Sequence, residues 1–90
     1  MKGRQFKKTH FSATGRYWLG REEALRQPFL GIPVSNSMID YIEYYWLTEA
    51  QYDEFMVDDN AAAFFAEACR RREHDDVIVF APGSDRGAAR

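Results

Sequence analysis

Long apolar runs are scarce in this chain of 90 residues. Runs such as YYWL at 44–47 and VIVFA at 77–81 fall far short of the roughly 20 residues that a membrane-spanning helix needs. No apolar stretch follows the basic start MKGRQFKKTHF, as one would in a secretory signal. A soluble, non-secreted protein with no membrane partner is therefore expected. Cysteine is almost missing too. Cys69 stands alone, which excludes an internal disulfide and any zinc site built on several thiolates, and a cytoplasmic setting fits best.

Groups that carry chemistry are equally thin. Of the two histidines, His10 alternates with Lys8 and Ser12 along an expected strand and reads as a surface residue. His74 lies in REHDD at an expected helix end, where it can donate to free carbonyls more readily than bind a metal. The HDD run resembles a ligand set only on paper, because adjacent residues rarely converge on one ion. Ser35 and Ser37 flank Asn36 without the pattern of a nucleophile elbow, and neither TGRYWLG nor APGSDRG has the glycine spacing of a phosphate cradle. Cys69 falls on an apolar helix stripe and reads as a small core residue. No catalytic residue, metal site or cofactor is assigned, and the chain is read as non-enzymatic.

One sign of charge is missing from the middle of the chain. Residues 1–30 carry seven Lys or Arg against two Glu, residues 31–62 carry seven Asp or Glu and no cation, and residues 63–90 balance five against five. The net charge of −2 hides this asymmetry. The stretch Tyr41 to Asn60 also holds six of the chain's fourteen aromatic residues. With 46% hydrophobic and 16% aromatic residues the chain has apolar area enough for one globular domain, though little room for a deep cleft.

The patterning predicts an α+β fold: a small, mainly antiparallel sheet of about four strands with two helices packed on one face. An N-terminal hairpin is expected, with strands near 4–12 and 16–19, a left-handed Gly15 in its loop, and either a bulge or a late start because Phe6 and Phe11 fall on opposite faces of an ideal strand. REEALRQP reads as a short helical piece and PFLGIPVSNS as a loop. Residues 38–47 have two readings. Ser37 with Asp40 could form a capping box over a helix, but Ile, Tyr and Trp dominate, and Thr48 with Gln51 is the better cap, which favours a strand feeding directly into a helix. Helices are expected over 49–56, with Tyr52, Phe55 and Met56 inward, and over 61–73, capped by Asp59 or Asn60, with Ala61, Phe64, Phe65, Ala68 and Cys69 inward. Residues 76–81, apolar on both faces, are expected as a central strand, and the domain at 1–83 is followed by a mobile tail at 84–90.

Tyr and Trp anchor interfaces at low rotamer cost, and carboxylates around them steer a basic partner. Asp40, Glu43, Tyr44, Trp46, Glu49, Asp53, Asp58 and Asp59 are therefore the expected partner-binding residues, with Tyr41 and Tyr45 as anchors if the opposite strand face is used. At least half of the six rings are expected to serve the core instead. The rival surface is the hairpin, where Lys7, Lys8, Arg16 and Trp18, beside Phe6, Phe11 and Tyr17, suit single-stranded nucleic acid; the pI of about 5.6 argues against it. A homodimer joining the two surfaces is a third arrangement. In size, charge layout and missing chemistry the chain resembles small bacterial or phage inhibitors, such as immunity proteins against nuclease toxins and anti-CRISPR proteins. That resemblance implies a basic protein partner, a nuclease toxin or a nucleic-acid-binding effector complex.

Overall fold

The structure, a computed structural model, describes residues 3–36, 39–82 and 86–89. Strands β1 (Phe6–Ser12), β2 (Tyr17–Glu22), β3 (Pro28–Ser35) and β4 (Asp40–Trp46) form one open antiparallel sheet in the order β1-β2-β3-β4. Helices α1 (Glu49–Val57) and α2 (Asp59–Arg70) follow, then a 3₁₀ turn at Asp75–Val77, and β5 (Ala88–Ala89) pairs with the end of β3. The α+β arrangement is the expected one, but one of its four strands is not.

The hairpin forms with its bulge. Lys8 pairs with Gly20 and His10 with Leu19, leaving Thr9 as the extra residue, whose hydroxyl donates to the Leu19 carbonyl at 3.2 Å. The left-handed residue of the turn is Arg16, at φ 52°, and not Gly15. Gly15 is required for another reason. A Cβ there would lie 2.6 Å from the Tyr17 ring, so the turn folds flat over that ring only without a side chain.

Residues 21–28 make no helix. Glu22 ends β2, its carboxylate accepts from the Leu25 N–H at 2.6 Å, its carbonyl accepts from the Arg26 N–H at 2.7 Å, and the chain turns back through a left-handed Arg26. A single helix-like turn imitates the pattern that suggested a helix. Of the expected loop at 28–37, residues 28–35 are instead β3, an inner strand that pairs with both β2 and β4, and Ser37 lies outside the described residues. Its prolines do not break it. Pro28 opens the strand, where a missing N–H matters least. The Leu47 N–H bonds the Pro28 carbonyl at 2.9 Å, so alternation aims even-numbered residues of β3 at β4 and odd-numbered ones at the other edge. Pro33 thus faces the gap between β2, whose pairing ends at Gly31, and β5, whose pairing begins at Val34.

Residues 40–46 are a strand and feed into α1 through Thr48. Its hydroxyl accepts from the Gln51 N–H at 3.1 Å while the Gln51 side chain accepts from the Thr48 N–H at 2.8 Å, completing the capping box. One residue, Asp58, separates the helices and caps α2 by accepting from the Ala61 N–H at 3.1 Å. The expected caps are differently used, since Asp59 accepts from the Tyr17 hydroxyl. The inward stripe of α2 is Ala62, Ala66, Ala68 and Cys69; Phe64 points out, 71% exposed, and Phe65 is half-buried. Small residues let α2 settle against Tyr17, Leu19, Leu30, Ile32 and Tyr45, all fully buried, and the large rings are left to its flanks. On α1 only Phe55 is buried; Met56 is 40% exposed.

The expected central strand at 76–81 is not one. After the 3₁₀ turn, Ile78 makes an isolated bridge to Tyr45, and the Val79 N–H donates to the Tyr44 carbonyl at 2.9 Å. The segment is apolar on both sides because it seals the outer edge of β4: Val77 and Ile78 pack on the core, and Phe80 lies 6.0 Å from Phe6 on the other face of the sheet. Residues 86–89 likewise depart from the expected mobile tail, since they are tied to the sheet by β5 and by Arg86. A Cβ at Gly87 would lie 2.0 Å from the Ser35 carbonyl oxygen, so only glycine seats that strap.

The face of the sheet away from the helices carries its own rings. Phe6 stacks on Tyr44 with centroids 3.8 Å apart and meets Phe29 edge-on at 5.1 Å. In a flat sheet, β1 and β4 would stand about 14 Å apart at the usual strand spacing. The sheet must therefore curl toward this outer face, burying Phe29 completely. Two substitutions test the seating of α2 by chemical denaturation: Ala66→Leu is expected to cost about 1–3 kcal/mol through overpacking, whereas Phe64→Ser should change stability by no more than about 0.5 kcal/mol.

Candidate functional site

The expected partner-binding residues do not form one surface. Glu43 is interior: its carboxylate accepts from Arg86 Nε at 2.8 Å and from the Tyr45 hydroxyl at 2.7 Å, and the side chains of Glu43 and Arg86 are only 8% and 9% exposed. It cannot meet a partner. Tyr44 and Trp46 are half-buried on the outer face of the sheet, where Arg4 lies over the Trp46 ring at 5.6 Å. Asp40 begins β4 and is exposed. Glu49, Asp53, Asp58 and Asp59 lie on the helix side, where Asp58 and Asp59 are used as cap and as acceptor for Tyr17. The alternative anchors fare no better, because Tyr45 is fully buried and the Tyr41 hydroxyl accepts from the Gly87 N–H at 3.0 Å.

Much of the charge asymmetry is answered within the molecule. Arg21, from the basic third, donates to both carboxylate oxygens of Glu49 at 2.8 Å and lies 4.6 Å over the Tyr52 ring. The hydrogen bonds from Arg21 hold Glu49 below the ordinary carboxylate range. Arg86, from the C-terminal end, clamps both Glu43 and Asp75, the latter at 2.9 and 3.1 Å. Sequence separation hid these pairs. The cations that neutralise the acidic third come from both sides of it.

What survives as an exposed acidic surface lies on the helix layer. Val57 is 86% exposed and Phe64 71%, values far above those of ordinary core-forming residues, and Met56, just before Val57, is 40% exposed. Glu54 and Phe64 line one shallow groove with Phe55, Ala61, Phe65 and Ala68. Asp53, Glu54 and Asp58 are exposed on α1 and its junction with α2, while Glu67 is paired with Arg70 at 2.8 Å. Sequence reasoning missed Phe64 because it fits an inward helical stripe when the helix is viewed alone, and Val57 because the helix is expected to end before it.

The hairpin residues divide as well. Lys8 and Trp18 are together on the outer face, with the ammonium 5.8 Å from the ring centroid. Lys7 falls on the opposite face and pairs with Glu23 at 3.9 Å. Arg16 is an exposed turn residue whose carbonyl accepts from Arg70. Among the described residues β1 pairs only with β2, so Lys7, Lys8 and the bulge at Thr9 also guard an open strand edge against pairing with another chain.

The remaining candidates for chemistry take structural places. Burial pushes the Cys69 thiol up to about 12, far from a reactive thiolate. His74 stacks on Phe65 with ring centroids 4.2 Å apart and makes no side-chain capping bond, contrary to the expected role. His10 is half-buried beside Tyr17. Burial, and then the bonds to Asp59 and Glu43 respectively, keep the Tyr17 and Tyr45 hydroxyls protonated well above the usual phenol range. Among the described residues no three His, Cys, Asp or Glu converge as a metal would require, and no helix is long and apolar enough to cross a membrane. Comparison of the chain with protein-family models, with curated proteins and with solved structures finds no match in any of the three.

The buried pair makes two measurable demands. Arg86→Ala leaves Glu43 inside without its cation and is expected to cost about 3–5 kcal/mol in chemical denaturation, most of it recovered when Glu43→Leu and Arg86→Met are combined. The hydrogen bonds from Arg86 hold Asp75 below the ordinary range. Its contribution to stability is thus complete above the unfolded value of about 3.9 and is lost as pH falls through the lower folded value. Denaturation midpoints measured from neutral pH into acid should fall less steeply below about pH 4 in Asp75→Asn than in the wild type.

Proposed function

We propose that this protein is a non-catalytic binding protein that occupies a basic site on another protein, as small bacterial and phage inhibitors do, using its helix layer. The observation that carries this reading is the exposure of Met56, Val57 and Phe64 on two successive helices that also expose Asp53, Glu54 and, at their junction, Asp58. Exposed rings and branched chains favour association that covers them. Carboxylates at their rim raise the encounter rate with a positive surface and oppose wrong partners. Asp53 and Glu54 have no cation at ion-pair distance among the described residues, unlike Glu43 and Glu49. Their charge is thus not neutralised by a paired cation among the described residues.

The docking surface in this proposal is narrower than the set pooled from residues 40–59. Glu43 and Glu49 are engaged internally, and Tyr44 and Trp46 face the other way. Phe64 takes the anchor role assigned to them. A partner that normally holds nucleic acid suits the rim, since carboxylates can stand where phosphates bind. The cytoplasm belongs to the same proposal, because such partners work there.

The test is kinetic. A partner captured on the immobilised protein from its native host should associate about tenfold more slowly with the double variant Asp53→Lys, Glu54→Lys at low salt, and with a flatter salt dependence. Phe64→Ser should mainly speed dissociation. Unchanged rates with both variants would overturn the proposal.

A further inference from the structure

The strand registers place a row of side chains across the outer face. Phe11 pairs with Trp18, Trp18 with Gly31, and Gly31 with Tyr44. Residues directly opposite in an antiparallel ladder point to the same side, so the row carries three rings and one gap. Its open end is the hairpin. There Phe11 is 50% exposed, its ring centroid 5.0 Å from that of the half-buried Trp18.

Cations accompany these rings. Lys8 stands in the neighbouring row, opposite Gly20, where the absence of a side chain leaves it free to lie over Trp18. Arg16 is exposed in the turn two residues before Trp18. Among the described residues no carboxylate lies within ion-pair distance of Lys8 or Arg16. Glu22 and Asp40 share the face, but Glu22 is buried, held by the Leu25 N–H and by Arg4 at 4.0 Å, and Asp40 stands opposite Ser35 at the start of β4, away from the hairpin. Asp53, Glu54 and Asp58 belong to the helix layer, on the far side of the sheet. The negative charge that lowers the isoelectric point is thereby separated from this corner.

We infer that the Phe11–Trp18 corner is a second binding surface, which takes a short segment of single-stranded nucleic acid by stacking a base on Phe11 and holding the flanking phosphates with Lys8 and Arg16. Stacking on an exposed ring tolerates any base, and Lys8 from β1 and Arg16 from the turn supply cations for the phosphates flanking the stacked nucleotide. A duplex cannot use the site, because its bases are already stacked. Lys7 is outside this surface, in contrast to the grouping that residue order suggests.

Fluorescence anisotropy of a short fluorescein-labelled oligo(dT), titrated with the full chain at low salt, tests this inference. Binding should exceed that to a duplex of equal length and weaken as salt rises. Phe11→Ala should weaken it about tenfold, and Lys8→Glu should both weaken it and flatten the salt dependence. Phe64→Ser, on the opposite layer, should leave it unchanged, which separates this surface from the protein-docking one. Equal affinity for duplex, no binding at low salt, or an oligo(dT) affinity indifferent to Phe11→Ala overturns the inference; circular dichroism of each variant establishes that it is folded.

Discussion

A carboxylate buried in the sheet imposes the largest constraint on this small fold. Glu43 points from β4 into the side of the sheet that the helices cover, where an unpaired charge would be costly. Arg86 resolves the problem from the other end of the chain, and in doing so draws in Asp75 and the Tyr45 hydroxyl. The strap that carries Arg86 must then lie across the end of the core, which explains the glycine at 87 and the short pairing of β5 with β3. Burial of a charged pair adds little to stability by itself, but it penalises every arrangement in which the C-terminal strap is elsewhere.

The same economy of charge shapes the surfaces. Arginines at 21, 70 and 86 are structural: one ties α1 to β2 through Glu49, one holds the hairpin turn by its carbonyls, and one locks the strap. With those cations engaged, the side chains left to act outward are few and fall on opposite layers. The helix layer presents carboxylates around Phe64 and Val57, and the outer sheet face presents rings with Lys8 and Arg16. An open sheet covered by helices on one side alone produces this two-sidedness.

Several elements were legible in the sequence because their signals are local. The Thr48 box, the strand at 40–46 and the bulge between Lys8 and His10 depend on residues within a few positions of one another. The failures share a cause. Residues 28–35 look like a loop because proline and glycine dominate, yet the strand tolerates Pro33 where neither neighbour needs its N–H. Residues 77–80 look like a central strand because both sides are apolar, yet they seal an edge. On α2, Phe64 and the alanines fit the same helical period, and only the space above Tyr17 and Tyr45 selects the alanines.

The sequence by itself determined the class of fold, the start of α1 and the separation of charge along the chain, since composition, capping and alternation act over short distances. Only the tertiary structure decided which strand lies inside the sheet, which face of α2 is buried and which charges cancel. Those outcomes depend on groups far apart in sequence meeting across the core: Arg86 reaches Glu43, Arg21 reaches Glu49, and Phe6 reaches Tyr44 over a curled sheet. No local pattern encodes such meetings, because their energies exist only once the chain has closed around them.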